Sequence, residues 1–276
     1  AVVTFTTDWA LDAARRDFTV NALSVDGGGR LFDYQGGERD LRNKILRFIG
    51  DPRARMREDY LRILRYFRFA SLWDWPLTDT ETLAACREQA GFLKSLSRER
   101  VQHELYRLLS GAGALRVMQL LNQQGITEEL FGFTCDLTLL EALIRRNDPD
   151  PFRRLWSCAD PLQTEWLDRV VVLSNAQKKR LNHYADLHKK LDWPLHKKLY
   201  YFGAEAVRDH IYLLQCFTDA PAVDAWQPPV FPLAASDLMQ EKNLSGKALG
   251  ETLRRLEETW VDRNFQPTAA ELKSLI

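Results

Sequence analysis

The sequence predicts a mainly α-helical protein with a small β element at its N-terminus. Three observations carry this reading. Strand-like residues and a glycine-rich turn are confined to the first fifty positions, apolar residues beyond Pro52 recur at spacings of three and four, and capping residues and glycines punctuate those runs. The 276 residues are 45% hydrophobic, enough for a sizeable core. No apolar run approaches the roughly 18 residues that a membrane crossing needs, and no charged-then-apolar segment opens the chain. The default compartment on this reading is the cytoplasm, with no membrane partner.

Residues 2–6, VVTFT, have the β-branched and aromatic content of a strand. Residues 22–34, ALSVDGGGRLFDY, read as two short strands joined at Asp26-Gly27-Gly28-Gly29. GGERDLRNK reads as a short helix and ILRFIG as a strand or extended connector. From Ala54 to about Leu72 the recurrence of Leu61, Ile63, Leu64 and Phe67 predicts one amphipathic helix. Thr78 or Asp79 can cap the next helix and Ser97 another, with Leu96 and Val101 placed as a hydrophobic staple. Gly111 and Gly113 end that helix, and Gly125 suits the left-handed position that closes ALRVMQLLNQQ. RNDPDP marks a corner, and further breaks fall near Pro194, Gly203 and WQPPVFP at 226–232.

Cys86, Cys135, Cys158 and Cys216 stand far apart, which suggests neither a zinc site nor a disulfide framework. His183 and His188 are five apart, poor spacing for one metal-binding helix face. Charge is more informative. The chain is neutral, with 38 basic and 38 acidic residues, but the basic ones are clustered. Between Glu38 and Ala70 ten Lys/Arg face five acids, and between Lys178 and Lys198 seven face two. Two basic stretches on a neutral chain point to directed contact with polyanions, although such runs also occur as solvated helix faces.

Glu58, Asp59 and Arg62 form the most informative constellation. On one helix Glu58 and Arg62 are i and i+4, Asp59 and Arg62 i and i+3, so all three project to one side. The plain reading is an intrahelical ion pair worth a few tenths of a kcal/mol. The chemical alternative rests on hydrogen-bond inventories: a carboxylate only accepts and a guanidinium only donates. Cytosine and adenine each present an amino donor beside a ring-nitrogen acceptor, and uracil and guanine present the reverse. An Asp–Arg pair can therefore read C and A alike and reject U and G, because the wrong base leaves charged groups unsatisfied. Arg65 and Arg68 continue the spacing of three, but the drift of a 3.6-residue helix carries Arg68 away from Asp59, so it either follows a ligand along the stripe or contacts phosphate.

RRDFTVNAL at 15–23, GGERDLRNKILRFIG at 36–50, EDYLRILRYFRFA at 58–70 and LSRERVQHEL at 96–105 occur in the order of motifs B, C, D and E of the class II tRNA nucleotidyltransferase and poly(A) polymerase family. The chain resembles that family, most of all the bacterial CCA-adding enzymes. Weaker similarity continues through LSNAQKKRL and FPLAASDLMQEKNLSGKALGETLRRLEETWV, the latter with Ala235-Ser236 where the family usually has glycine before Asp237.

The resemblance implies an elongated nucleotidyltransferase architecture: the C-terminal part of a truncated head (1–50), a helical neck with the nucleotide template (51–113), a helical body (114–190) and a helical, tRNA-binding tail (191–276). It implies nucleotide contacts from Arg16, Asp17 and Asn21, base reading by Asp59 and Arg62 organised by Glu58, and Arg65 and Arg68 lining the same pocket. Motif E (Ser97, Glu99, Arg100, Glu104) would brace the template, and motif C (Gly37, Asp40, Arg47, Gly50) would form the hinge between head and neck. Lys178, Lys179, Arg180, Lys189 and Lys190 would grip RNA phosphates. The implied activity is addition of CCA to the tRNA 3′ end from CTP and ATP, with a poly(A) polymerase or a non-catalytic RNA-binding protein as alternatives. Mg²⁺ is implied too, but its D-x-D ligands in motif A, upstream of motif B, have no counterpart here, so the sequence reads as a chain cut within the head and inactive alone.

Overall fold

The computed structural model describes residues 7–242 and 244–276; the strand expected at 2–6 lies outside them. Among the described residues the protein is mainly helical, with one two-stranded antiparallel sheet, in agreement with the expected class. The chain divides into two compact units, residues 1–174 and 175–276.

The first unit begins with α1 (Trp9–Ala14), capped by the Asp8 carboxylate, and a 3₁₀ turn at Thr19–Asn21. The hairpin follows as β1 (Ser24–Val25) and β2 (Leu31–Phe32), with Ser24 opposite Phe32. α2 (Gly37–Arg42) comes from GGERDLRNK as expected. ILRFIG is an extended connector whose Phe48 bridges to Phe18. Gly37 is required here: a Cβ at that position would lie 2.2 Å from the Thr19 carbonyl oxygen. The buried Asp40 carboxylate then ties the three segments together, accepting from Thr19 Oγ1 at 2.5 Å and from Arg47 Nε at 3.0 Å.

The single helix expected from Ala54 to Leu72 is two helices. α3 (Pro52–Glu58) ends at Asp59, which is extended (φ −158°, ψ 107°), and α4 (Leu61–Trp73) starts after Tyr60. The apolar periodicity runs unbroken through this point, but the Asp59 carboxylate accepts from Leu61 N at 3.1 Å, a local bond that competes with helix continuation. α4 is buried on nearly all sides, and its Tyr66 and Phe69 pack against Phe18 at centroid distances of 6.0 and 5.4 Å, which seats the N-terminal segment on the helix.

α5 (Thr80–Gln89) is capped by Asp79, and a 3₁₀ segment at Ala90–Ser95 leads to α6 (Arg98–Leu109). Ser97 holds the N-cap position of α6 by its backbone alone, with no capping bond from its hydroxyl. α7 (Ala114–Gln123), α8 (Ile126–Phe131), α9 (Thr138–Arg145), α10 (Pro151–Trp156) and α11 (Leu167–Val170) complete the unit, with Gly125 in the left-handed region between α7 and α8. The RNDPDP corner turns at Asn147 (φ 55°).

The second unit contains α12 (Asn175–His188), α13 (Leu195–Leu213), α14 (Ala220–Asp224), α15 (Ala235–Lys242), α16 (Gly246–Asp262) and α17 (Ala269–Lys273). The breaks expected at Pro194, Gly203 and 226–232 are present, Gly203 kinking α13 at φ 82°. Leu187, Leu199, Val207 and Ile211 form one core of this unit, Leu238, Leu256, Trp260 and Leu272 another.

Candidate nucleotide site

A cavity of about 270 Å³ opens where the N-terminal segment meets the break between α3 and α4. Its walls are Arg16, Asp17, Asn21, Asp59, Leu61, Arg62, Arg65 and Arg100. Arg16, Asp17, Asn21, Asp59, Arg62 and Arg65, all singled out for nucleotide contact in the sequence, thus meet in one place. The hairpin, α2 and α3 lie between Asn21 and Asp59 in the chain and bring the two back together.

The helix break sets the geometry. Because Asp59 is extended, its carboxylate turns out of the helical row and accepts from Arg100 Nη2 at 2.6 Å. Arg62 instead donates through Nη1 to Glu58 Oε2 at 2.5 Å and to the Arg55 carbonyl at 2.8 Å. Both bonds leave from one nitrogen, and Arg62 lines the cavity together with Asp59, a donor side chain and an acceptor one. Glu58, half exposed, also accepts from Arg55 Nη1 at 2.7 Å. Its modest burial favours the neutral acid, but Arg62 and Arg55 outweigh that and hold its carboxyl below the usual carboxylate range.

From the N-terminal segment the Asp17 carboxylate accepts from Phe18 N at 3.0 Å, Asn21 Nδ2 at 2.9 Å and Arg65 Nε at 2.6 Å. Burial pushes its pKa up, yet Arg65 and Asn21 bring it net below the ordinary value, so Asp17 stays ionised. Arg16 is half exposed and pairs with Asp12 at 2.8 Å. Arg55 fastens α3 to the N-terminal segment by donating from Nη2 to the Arg15 carbonyl at 2.7 Å and to the Arg16 carbonyl.

Two of the expected placements are corrected by the structure. Arg68 does not line the cavity. Its Nε donates to Glu104, each side chain is 3% exposed, and its guanidinium lies 4.0 Å from the centre of the Phe69 ring. The helical drift carries it into the core between α4 and α6. Arg180 is likewise enclosed: it forks onto the buried Asp209 at 2.7 and 2.6 Å and joins α12 to α13 instead of facing RNA. Lys178 and Lys179 are exposed, Lys189 pairs loosely with Asp186 at 3.3 Å, and Lys190 sits 4.9 Å over the Trp193 ring.

Sequence reasoning missed Arg55 as a clamp and placed Arg100 only as a brace. Their partners lie 40 and 41 residues away, beyond the reach of spacing arguments.

The head-domain model of the poly(A) polymerase family matches residues 1–47, and one described as "Probable RNA and SrmB- binding site of polymerase A" matches 78–137. The CCA tRNA nucleotidyltransferase 1, mitochondrial, of Mus musculus is 32% identical over the whole of this chain, which covers 68% of that protein. The chain belongs to the CCA tRNA nucleotidyltransferase family. Two family members share its fold: the CCA-adding enzyme of Bacillus stearothermophilus in complex with CTP (TM-score 0.69, 24% identity, 95% of this chain and 72% of that one) and that of Thermotoga maritima complexed with tRNA (0.68, 19%, 96% and 73%). As a nucleotidyltransferase family member the protein is an enzyme by class.

The carboxylates in the cavity, Asp17 and Asp59, are each held by an arginine, and among the described residues no group of three or more His, Cys, Asp or Glu side chains could hold a metal ion. These residues do not fit a Mg²⁺ site. No helix among the described residues is long and apolar enough to cross a membrane.

Proposed function

We propose that the protein adds CCA to the 3′ end of tRNA, using CTP and ATP, with the cavity at the α3–α4 break holding the incoming nucleotide. One observation carries the reading: an acceptor, Asp59, and a donor fork, Arg62, from the α3–α4 break line one cavity with Arg16, Asp17 and Asn21 from the N-terminal segment. Asp59 and Arg62 suit the amino and ring-nitrogen edge shared by cytosine and adenine. Discrimination against uracil and guanine follows, since their donors would meet Arg62 and their acceptors Asp59. Arg16 and Arg65 offer charge to the triphosphate, and Asn21 and Asp17 offer polar contacts to the ribose. Glu58 and Arg55 hold Arg62, Glu104 positions Arg65 through a 3.7 Å contact, and Asp40 fixes the turn that carries Thr19 to Asn21.

In the transfer itself the tRNA 3′ hydroxyl attacks the α-phosphorus, a new phosphodiester forms and pyrophosphate leaves. Use of magnesium is proposed from family membership alone. The exposed Lys178, Lys179 and Lys189, with the half-buried Lys190, are proposed to contact tRNA phosphates, as lysines do without reading sequence. A cytoplasmic location would place the protein with all three substrates.

The test is incorporation of labelled CTP and ATP into tRNA that ends before CCA, by the natural full-length protein. Addition of C, C and A is expected. A long adenosine tail would make it a poly(A) polymerase, and tRNA binding without incorporation would make it a non-catalytic RNA-binding protein.

A further inference from the structure

An aromatic pair that does not line the cavity has one member next in the chain to two residues that do. Tyr60 occupies the single turn between Asp59 and Leu61, both of which line the cavity. Its ring stacks on Phe92 with centroids 4.6 Å apart and planes inclined by 11°. Phe92 comes from the 3₁₀ segment at Ala90–Ser95 and remains 52% exposed. The pair thus keeps a large aromatic ring both held flat and open to water. Arg57, one turn earlier on α3, is exposed on the same run of chain.

We infer that Tyr60 and Phe92 form a stacking platform for an unpaired nucleobase at the 3′ end of the RNA substrate. The inference rests on the proposed function and deepens it, by giving the acceptor strand a foothold next to the incoming nucleotide. The place of Tyr60 in the chain, between the cavity-lining Asp59 and Leu61, favours this occupant over a protein partner. Phe92 also lies within residues 78–137, which match the RNA-binding family model. Stacking suits a strand whose terminal base changes as the end grows. Every base has a π-face, so a flat aromatic surface accepts each in turn where a hydrogen-bonding site would reject some. Tyr60 fixes the tilt of Phe92, and Arg57 supplies charge for a neighbouring phosphate.

The experiment places 2-aminopurine at the 3′ terminus of tRNA that ends before CCA and reads its fluorescence together with the anisotropy of a label at the 5′ end. The wild-type protein should bind and quench the 2-aminopurine. Phe92→Ala and Phe92→Leu should both lose the quench and bind about tenfold more weakly, and Phe92→Trp should restore it. An unchanged melting temperature in Phe92→Leu separates stacking from folding, and Tyr60→Leu should reduce the quench in part. Equal quenching by wild type and Phe92→Leu would overturn the platform and leave the proposed function standing. Absence of tRNA binding by the wild type would overturn both.

Discussion

The two basic stretches of this protein look alike in sequence and differ in the structure. In the first, between Glu38 and Ala70, several arginines end on a carboxylate or a backbone carbonyl: Arg55 on Glu58 and the motif B backbone, Arg62 on Glu58, Arg65 on Asp17, Arg68 on Glu104. In the second, between Lys178 and Lys198, the arginine is enclosed against Asp209 while Lys178 and Lys179 stay in solvent. The planar, five-donor guanidinium builds fixed scaffolds, and the flexible ammonium remains available to a mobile polyanion. Local positive charge therefore marks two different things here, a set of arginines fixed on internal acceptors and a pair of solvated lysines that we propose as an RNA contact.

The comparison breaks most visibly at the enclosed pairs. Arg68→Ala removes the partner of a buried carboxylate and should cost about 3–5 kcal/mol. Arg180→Ala, which takes the guanidinium from the buried Asp209, should cost a similar amount. Thermal or urea unfolding measures both, and replacement of Arg68 and Glu104 together by methionine and leucine should recover much of the first loss. Next comes the frame that seats motif B. Gly37→Ala forces the Thr19 carbonyl to move and should destabilise by about 1–3 kcal/mol, with weaker CTP binding measurable by calorimetry.

Acid should weaken the second unit selectively. Burial, then the nearby charges of Lys198 and His188, lower the His210 pKa from 6.5 to about 4. A folded state that holds this imidazole neutral binds fewer protons than the unfolded chain across that window. Stability is therefore complete above pH 6.5 and declines as the pH falls toward 4, a slope that His210→Gln should flatten in a series of melts. The smallest structural effect is expected at the lysines. Lys178→Ala with Lys179→Ala should leave the melting temperature within about a degree or two and weaken tRNA binding, lowering the salt slope by about one for each phosphate no longer neutralised.

Much of the candidate site was legible because motif order brought together residues whose chemistry is complementary: Arg16, Asp17 and Asn21 with Asp59, Arg62 and Arg65. The helix break was not, since Leu61, Ile63 and Leu64 keep the apolar period regardless of what the backbone does at Asp59. Nor were the buried roles of Arg68 and Arg180, whose carboxylates lie 36 and 29 residues away. Helical projection did show that Arg68 turns away from Asp59; only the packing of α6 against α4 decided what it turns toward. The helices of the second unit were legible as runs and breaks, with Pro194 and Gly203 marking them from the sequence alone.

The central claim is that Asp59 and Arg62 read the base edge. Its most direct test is the ratio of CTP and ATP to UTP and GTP incorporated into tRNA that ends before CCA, compared between the natural full-length protein and its Arg62→Ala variant. The account predicts that Arg62→Ala lowers the rate and collapses the ratio by at least about tenfold, the size of one charged hydrogen bond. A slower variant that still prefers C and A over U and G by the wild-type ratio would contradict it.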